Sequence, residues 1–325
     1  MKVFARPFVP LLGAFFVFAA GAPQSASAYP TRPVRLIVPF APGGPIDQTA
    51  RIMSQKLTEY WGQPVIVENK TGANGVIAAE TAMQAPADGH TLLFSVIHHT
   101  VLPSLQQKLS YDIEKDFLPI TLAAVYPIIL VVRPELPVKS VADVIKAAKA
   151  SPGKFSFGHS GYGGGTHLAG ELFKMQAGVD LLSVPYKGSA PAMADLLGGH
   201  VDLMFSDAPT AIQHVQAGRL RALGISTPTR SALLPEMPTI AEQGVPQYEA
   251  YSWGGISVRA GTSPAVAAQL NADIVKALND PDVKRQFLKI GAEPKPQTPQ
   301  QYATFIRVEI EKWASVVKQA NIKLE

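Results

Sequence analysis

Three glycine-rich turns carry the residues best suited to chemistry in this sequence: Ala41-Pro42-Gly43-Gly44-Pro45-Ile46-Asp47, Thr71-Gly72-Ala73-Asn74-Gly75 and Ser160-Gly161-Tyr162-Gly163-Gly164-Gly165-Thr166-His167. Each lies where a β-branched run gives way to a helical pattern, so each exposes backbone N–H groups at a helix N-terminus. Unpaired donors and the helix dipole make such a position attractive to an anion. A single glycine-rich turn is ordinarily only a turn. Three in one α/β chain point to a ligand, because ligands of such proteins bind at the carboxyl ends of parallel strands. None is a nucleotide loop: the third turn lacks the Lys-Ser/Thr of a P-loop, and its glycines miss the dinucleotide spacing. No cofactor is expected.

Gly158-His159-Ser160-Gly161-Tyr162 approaches the Gly-x-Ser-x-Gly nucleophile elbow of α/β hydrolases, with Asp207 and His214 following in triad order. Tyr162 occupies the position where the strained turn needs glycine. A secreted hydrolase using Ser160 is therefore the alternative, not the leading reading. His98-His99 and the pair His159 and His167 fit neither a helical i, i+4 metal pair nor a zinc-finger spacing, so polar or capping roles are expected. The ordinary role of Asp47, Asp88 and Asp207, which follow glycine-rich or strand-terminal segments, is a cap or a turn bond.

The elements that must position these turns read clearly. Val34 to Val38, Val65 to Glu68 and Thr91 to Phe94 are strands, alternating with helices over Asp47 to Tyr60 and about Gly75 to Gln84. The alternation resumes with strands Ile128 to Val132, Phe155 to Phe157, Leu182 to Val184, Val201 to Phe205 and Leu220 to Ile225. Between them lie helices over Val141 to Ala150, Thr166 to Gln176, Ala190 to Leu197 and Pro209 to Ala217. Such alternation is the signature of βαβ units. Two α/β lobes are the economical reading, since one sheet would need an unusual number of strands. Crossings between lobes are expected near Ala123 to Tyr126 and near Ser226 to Pro228. Beyond them Ser263-Pro264, Asp280-Pro281 and the capping box Thr298-Pro299-Gln300-Gln301 start helices, the last with a core stripe through Tyr302, Ile306 and Trp313.

Composition narrows the class. The 325 residues are 47% hydrophobic and include no cysteine, which excludes disulfides, thiol nucleophiles and a lipidated cysteine anchor. With 29 basic against 25 acidic side chains, the net charge of +4 is too small for a nucleic-acid footprint. Met1 to Ala28 has a basic start, an apolar run from Val9 to about Ala22 and an Ala26-Ser27-Ala28 cleavage site, the layout of a secretory signal peptide. Cleavage after Ala28 removes Lys2 and Arg6 and implies a periplasmic protein with no transmembrane anchor.

With these blocks in order, the sequence resembles the substrate-binding proteins of tripartite tricarboxylate transporters, the Bug family. The resemblance begins at Tyr29-Pro30-Thr31-Arg32-Pro33-Val34 and Pro42-Gly43-Gly44. It runs through Ala87-Asp88-Gly89-His90-Thr91, His167-Leu168-Ala169-Gly170-Glu171 and Pro185-Tyr186-Lys187-Gly188, and reaches Gly199-His200-Val201-Asp202 and Ser252-Trp253-Gly254-Gly255. It implies a two-lobe periplasmic binding protein of the Venus-flytrap, type II-like class, with two crossing strands. Lobe 1 would take residues 29–125 and 227–325, and lobe 2 residues 126–226. The implied function is non-enzymatic capture of a small organic carboxylate by lobe closure, with delivery to the membrane permease subunits of the transporter. A ligand-binding module feeding a sensor would look the same.

By position, the resemblance implicates Gly43, Gly44 and Asp47 in one lobe and Ser160, Gly161 and Gly163 in the other, with Ala73, Asn74, Ser95, Tyr186 and Asp207 lining nearby. Pro45 stands where the family usually has a small residue and removes one backbone donor. Gly164 replaces a common serine or threonine, for which Thr166 is the substitute. Lys187 is expected to be solvated or structural. A monomer is expected, with no nucleic-acid partner and no bound metal.

Overall fold

The computed structural model describes residues 1–3, 29–106 and 108–323, so the signal-peptide segment lies almost wholly outside the described residues. Val34–Val38 (β1), Val65–Asn69 (β2) and Thr91–Val96 (β3) form a parallel set, with β1 between β2 and β3. Pro45–Trp61 (α1), Val76–Met83 (α2) and His98–Leu105 (α3) follow these strands in turn. A second parallel set comprises Ser156–His159 (β5), Leu182–Pro185 (β6) and Leu203–Asp207 (β7), followed by Gly165–Ala177 (α5), Ser189–Gly198 (α6) and Ala208–Gln216 (α7).

Phe117–Val132 (β4) joins the two sets. This 16-residue strand is apolar and almost wholly buried. Its first part pairs with Tyr251–Arg259 (β9) and the short Glu293–Pro294 (β10); its second part, from Ile128, pairs with β7 on one side and Arg221–Ile225 (β8) on the other. A run this long cannot be covered by one lobe, so each half is buried by a different one. The fold is a two-lobe α/β architecture, its sheet curling from one lobe into the next through β4.

Each lobe buries its sheet on both faces. In the first lobe α1, with Pro264–Asn279 (α8) and Pro281–Lys289 (α9), covers one face through Met53, Leu57, Leu270, Ile274 and Phe287. The other face carries α2, α3 and Pro299–Gln319 (α10). Its core runs without interruption into the second lobe, from Trp253, Tyr302 and Trp313 to Phe157, Phe173, Phe205 and Tyr248. Glu309 ties α10 to the first-lobe sheet: its buried carboxylate accepts from the Trp253 indole on β9 at 2.9 Å and the Trp313 indole at 2.8 Å. Val141–Ala150 (α4) packs on the second lobe over the same core, and α6 and α7 cover its opposite face.

The return from the second lobe falls later than the sequence suggested. The expected placement of residues 227–250 in lobe 1 differs from their packing, which is mainly on lobe 2 through Leu233, Leu234 and Met237, while Ser231 donates to Glu293 on β10 of lobe 1. Ile240 N–H donates to the Ile225 carbonyl at 2.8 Å, the Gln243 amide donates to Leu223 at 2.7 Å, and the Tyr248 hydroxyl donates to Ala169 on α5 at 2.8 Å. The chain re-enters lobe 1 where β9 begins at Tyr251. This segment lacks helix or strand periodicity, so nothing in its pattern marks which lobe it covers. Strand β9 and helix α3 are likewise elements that periodicity did not outline.

Candidate functional site

The carboxyl ends of both parallel sets face one cleft between the lobes, with a volume of about 710 Å³. Its floor is the crossing itself. Tyr126 on β4 is paired with Ser252 on β9, and the adjacent Ile128 with Asp207 at the end of β7. The Tyr126 hydroxyl donates to Thr49 Oγ1 at 2.9 Å, and Ser252 donates to Asp207 Oδ1 at 3.1 Å, joining the lobes by one hydrogen bond.

Among the described residues, five helices have their N-cap residue in the cleft lining: α1 at Gly44, α3 at Ile97, α5 at Gly164, α6 at Gly188 and α7 at Asp207. None of the five receives a side-chain cap. Of the helices that begin elsewhere, α4 is capped by Ser140, α8 by Ser263, α9 by Asp280, and α10 by Thr298 with a full capping box, while α2, whose N-cap Gly75 follows the cleft residue Asn74, has no side-chain cap. A missing cap leaves first-turn N–H groups to be satisfied from outside the helix. Five positive dipole ends converging on one cavity make it receptive to anionic oxygen.

The loops leading into α1 and α5 are held rigid by internal bonds that consume several of the amides expected to serve the ligand. Gly43 N–H donates to Asp47 Oδ2 at 2.9 Å, Gly161 N–H to His159 Nδ1 at 3.2 Å, and Gly163 N–H to His167 Nδ1 at 3.2 Å. Ser160 N–H donates to Thr166 Oγ1 at 3.0 Å, and the two hydroxyls are 2.8 Å apart. Of the first-turn residues, Ile46 on α1, where Pro45 has no N–H, and Gly165 on α5 line the cleft.

Of the residues singled out from sequence, Gly44, Asn74, Ser160, Gly161, Tyr186 and Asp207 line the cleft. The others are placed differently. Asp47 is 2% exposed, and its carboxylate is occupied by Gly43, Arg51 and Asn69. Burial alone would raise its pKa, but the bonds from Arg51, the Gly43 amide and Asn69 hold it below the usual carboxylate range. It shapes the loop. Ser95 is fully buried between strands and donates to Ser257 at 2.9 Å. Thr166 is 1% exposed and acts on Ser160. Gly43 and Ala73 lie just outside the lining, and Gly163 faces a small side pocket with Asn74 and His98.

The histidines divide into supports and one cleft residue. His159 and His167 stack at 4.3 Å between centroids, and burial pushes them down to about 4 and about 3, so both stay neutral acceptors for the loop amides. His99 accepts from Val96 N–H at 3.1 Å. His98 lines the cleft, held neutral by burial that pushes it down to about 4, with a buried Nδ1 that has no hydrogen-bond partner. Ser160 has a threonine, not an imidazole, against its hydroxyl, and Asp207 bonds a serine, so no triad forms from these residues.

Sequence reasoning missed Phe40, Ile46, His98, Tyr126, Ser252 and Trp253 as lining. Phe40, Ile46 and His98 were within reach of the rule that ligands sit at strand carboxyl ends; Ser252 and Trp253 depended on locating the return crossing. Lys187 is exposed, and it stands at the cleft rim instead of away from it.

The model of the tripartite tricarboxylate transporter family receptor matches residues 49–322. The chain belongs to this receptor family. Protein BugT of Bordetella pertussis is 39% identical to the receptor over 314 residues, spanning 95% of this chain and 96% of that protein. Among solved structures, R. palustris Rpa4515 with adipate superposes with a TM-score of 0.80 at 38% identity, covering 91% of this chain and 99% of that one. MatC from Rhodopseudomonas palustris with bound malate gives 0.75 at 32% identity, covering 89% and 100%. The family is one of periplasmic solute-binding receptors, and in this receptor the interlobe cleft with its uncapped helix starts is the candidate binding site.

Proposed function

We propose that this protein captures a small organic carboxylate in the interlobe cleft and delivers it to the membrane permease of a tripartite tricarboxylate-type transporter. The observation that carries the reading is the convergence of five helix starts without a side-chain cap on one interlobe cleft. A carboxylate can accept from first-turn amides of α1 in one lobe and α5 in the other, directly or through water, and so act as the missing cap of both. Because it bridges the lobes, binding and closure are one linked equilibrium. Phe40 and Ile46 offer apolar surface for the rest of the molecule.

Adipate and malate in two relatives support a carboxylate as ligand, and the family description supports a transporter as partner. Gly44, Asn74, Ser160, Gly161, Tyr186 and Asp207 are the proposed contacts, with Gly43, Asp47, Ala73, Ser95, Gly163 and Thr166 supporting them. The mature protein is taken to begin at Tyr29 after export to the periplasm, without catalytic activity.

A thermal-shift panel of di- and tricarboxylates, amino acids and aromatic acids, each beside its methyl ester, tests this. Free acid at about a hundred times its Kd should stabilise the fold by about 2.7 kcal/mol, with the esters inert and unchanged. Equal shifts from acid and ester, or hydrolysis of the ester, would reject the receptor reading in favour of another ligand class or the hydrolase. Uptake into permease-containing vesicles that depends on added receptor tests the delivery step.

A further inference from the structure

We infer that Asp207 is a specificity-determining residue, and that the cleft selects carboxylates that also carry an ammonium group, with the ammonium seated on Asp207. The inference rests on the carboxylate reading above and names the class within it.

Asp207 occupies the N-cap of α7, where an aspartate normally accepts from its own helix, yet its side chain makes no such bond. It turns instead to the cleft, where Ser252 donates to Oδ1 at 3.1 Å. Among the described residues no lysine, arginine or histidine lies within ion-pair distance of it. Facing it from β4 is the Tyr126 phenol, and the other titratable groups of the cleft are His98 on α3, Tyr162 before α5, and Tyr186 and Lys187 before α6. A carboxylate is thus held deep in a cavity built to attract anions, with one hydroxyl as its polar support.

Burial pushes Asp207 up to about 6, against the bond from Ser252, so near neutral pH it is mainly ionised and lacks a cation. A buried charge of this kind is costly until paired. A plain dicarboxylate would add like charge beside it. A ligand ammonium would supply the missing partner through a charge-assisted hydrogen bond.

Gly165, in the first turn of α5, packs so closely on Ser252 that a Cβ there would collide with its Oγ. Ser252 is thus a neighbour of both the first turn of α5 and the Asp207 carboxylate, so the anion-attracting helix start and the carboxylate lie in one part of the cleft.

The test is calorimetric titration at pH 7.5 with matched pairs: aspartate and succinate, glutamate and glutarate, 2-aminoadipate and adipate, phenylalanine and 3-phenylpropanoate. The expected result is an amine-bearing member that binds tighter than its partner by about tenfold to a hundredfold. Asp207→Asn, checked for a native melting curve, should reduce that preference to about threefold or less. If in every pair that binds, the member lacking the amine binds the wild-type protein as tightly or more tightly, the inference is overturned and the carboxylate reading stands. If no member of any pair binds, the carboxylate reading fails and the inference fails with it. The wild-type comparison decides the matter even if the variant does not fold.

Discussion

Asp207→Asn has a second consequence that needs no ligand. A carboxyl whose pKa rises from 3.8 in the unfolded chain to about 6 in the fold binds its proton more tightly when folded. Its effect on stability is therefore favourable below the unfolded value and is lost as pH rises through the folded value. At 1.36 kcal/mol for each pKa unit, the loss amounts to about 3 kcal/mol once pH exceeds both values. Asparagine keeps the shape and an oxygen to accept from Ser252, and it never ionises. Urea denaturation of ligand-stripped wild type and variant from pH 4 to pH 8 should show a difference of about 0.5 kcal/mol at pH 4, growing to about 3 kcal/mol in favour of the variant by pH 7. The buried histidines titrate in the same range but are common to both proteins and cancel in the difference. Parallel curves across the range would refute the reasoning, since they would mean that Asp207 ionises as freely in the fold as in the unfolded chain.

Other consequences can be checked alongside. His98, His99, His159 and His167 all have pKa values pushed down by burial, so their contribution is complete above about pH 6.5 and lost as pH falls toward about 4; wild-type stability should decline over that interval, and His167→Gln should flatten the decline in a denaturation series. Glu309→Ala leaves two buried indole N–H groups without an acceptor and should cost about 3–5 kcal/mol in urea unfolding, while Glu309→Gln recovers part of the loss. Gly165→Ala should lose about 1–3 kcal/mol through collision with Ser252, and Ser252→Gly in the same chain should restore most of it. Ser160→Ala should weaken ligand binding in calorimetry without abolishing any ester turnover, because no imidazole activates that hydroxyl.

What could be read from the sequence was the part governed by local pattern. The strands at Val34 to Val38 and Thr91 to Phe94, the helix starts at Ser263-Pro264 and Thr298-Pro299, and the three glycine-rich turns all announce themselves through alternation, caps and glycine. Two kinds of information were not local. The role of Asp47 depends on Arg51 and Asn69 meeting it across a loop, and that of Gly161 and Gly163 on imidazoles folded back beneath them; spacing alone cannot tell a free amide from a consumed one. The return crossing depends on which lobe residues 227–250 pack against, a tertiary choice made by Ile240, Gln243 and Tyr248. Missing it concealed Ser252 and Trp253, and with them the partner of Asp207.

The central claim is that uncapped helix starts from both lobes clasp one carboxylate. A crystal structure of the protein with the tightest-binding acid of the panel tests it most directly. The account predicts carboxylate oxygens at about 2.7–3.2 Å from first-turn amides of α1 and α5, or joined to them by a single water. A carboxylate bound outside the interlobe cleft, or held in it by side chains alone with those amides left unoccupied, would contradict it.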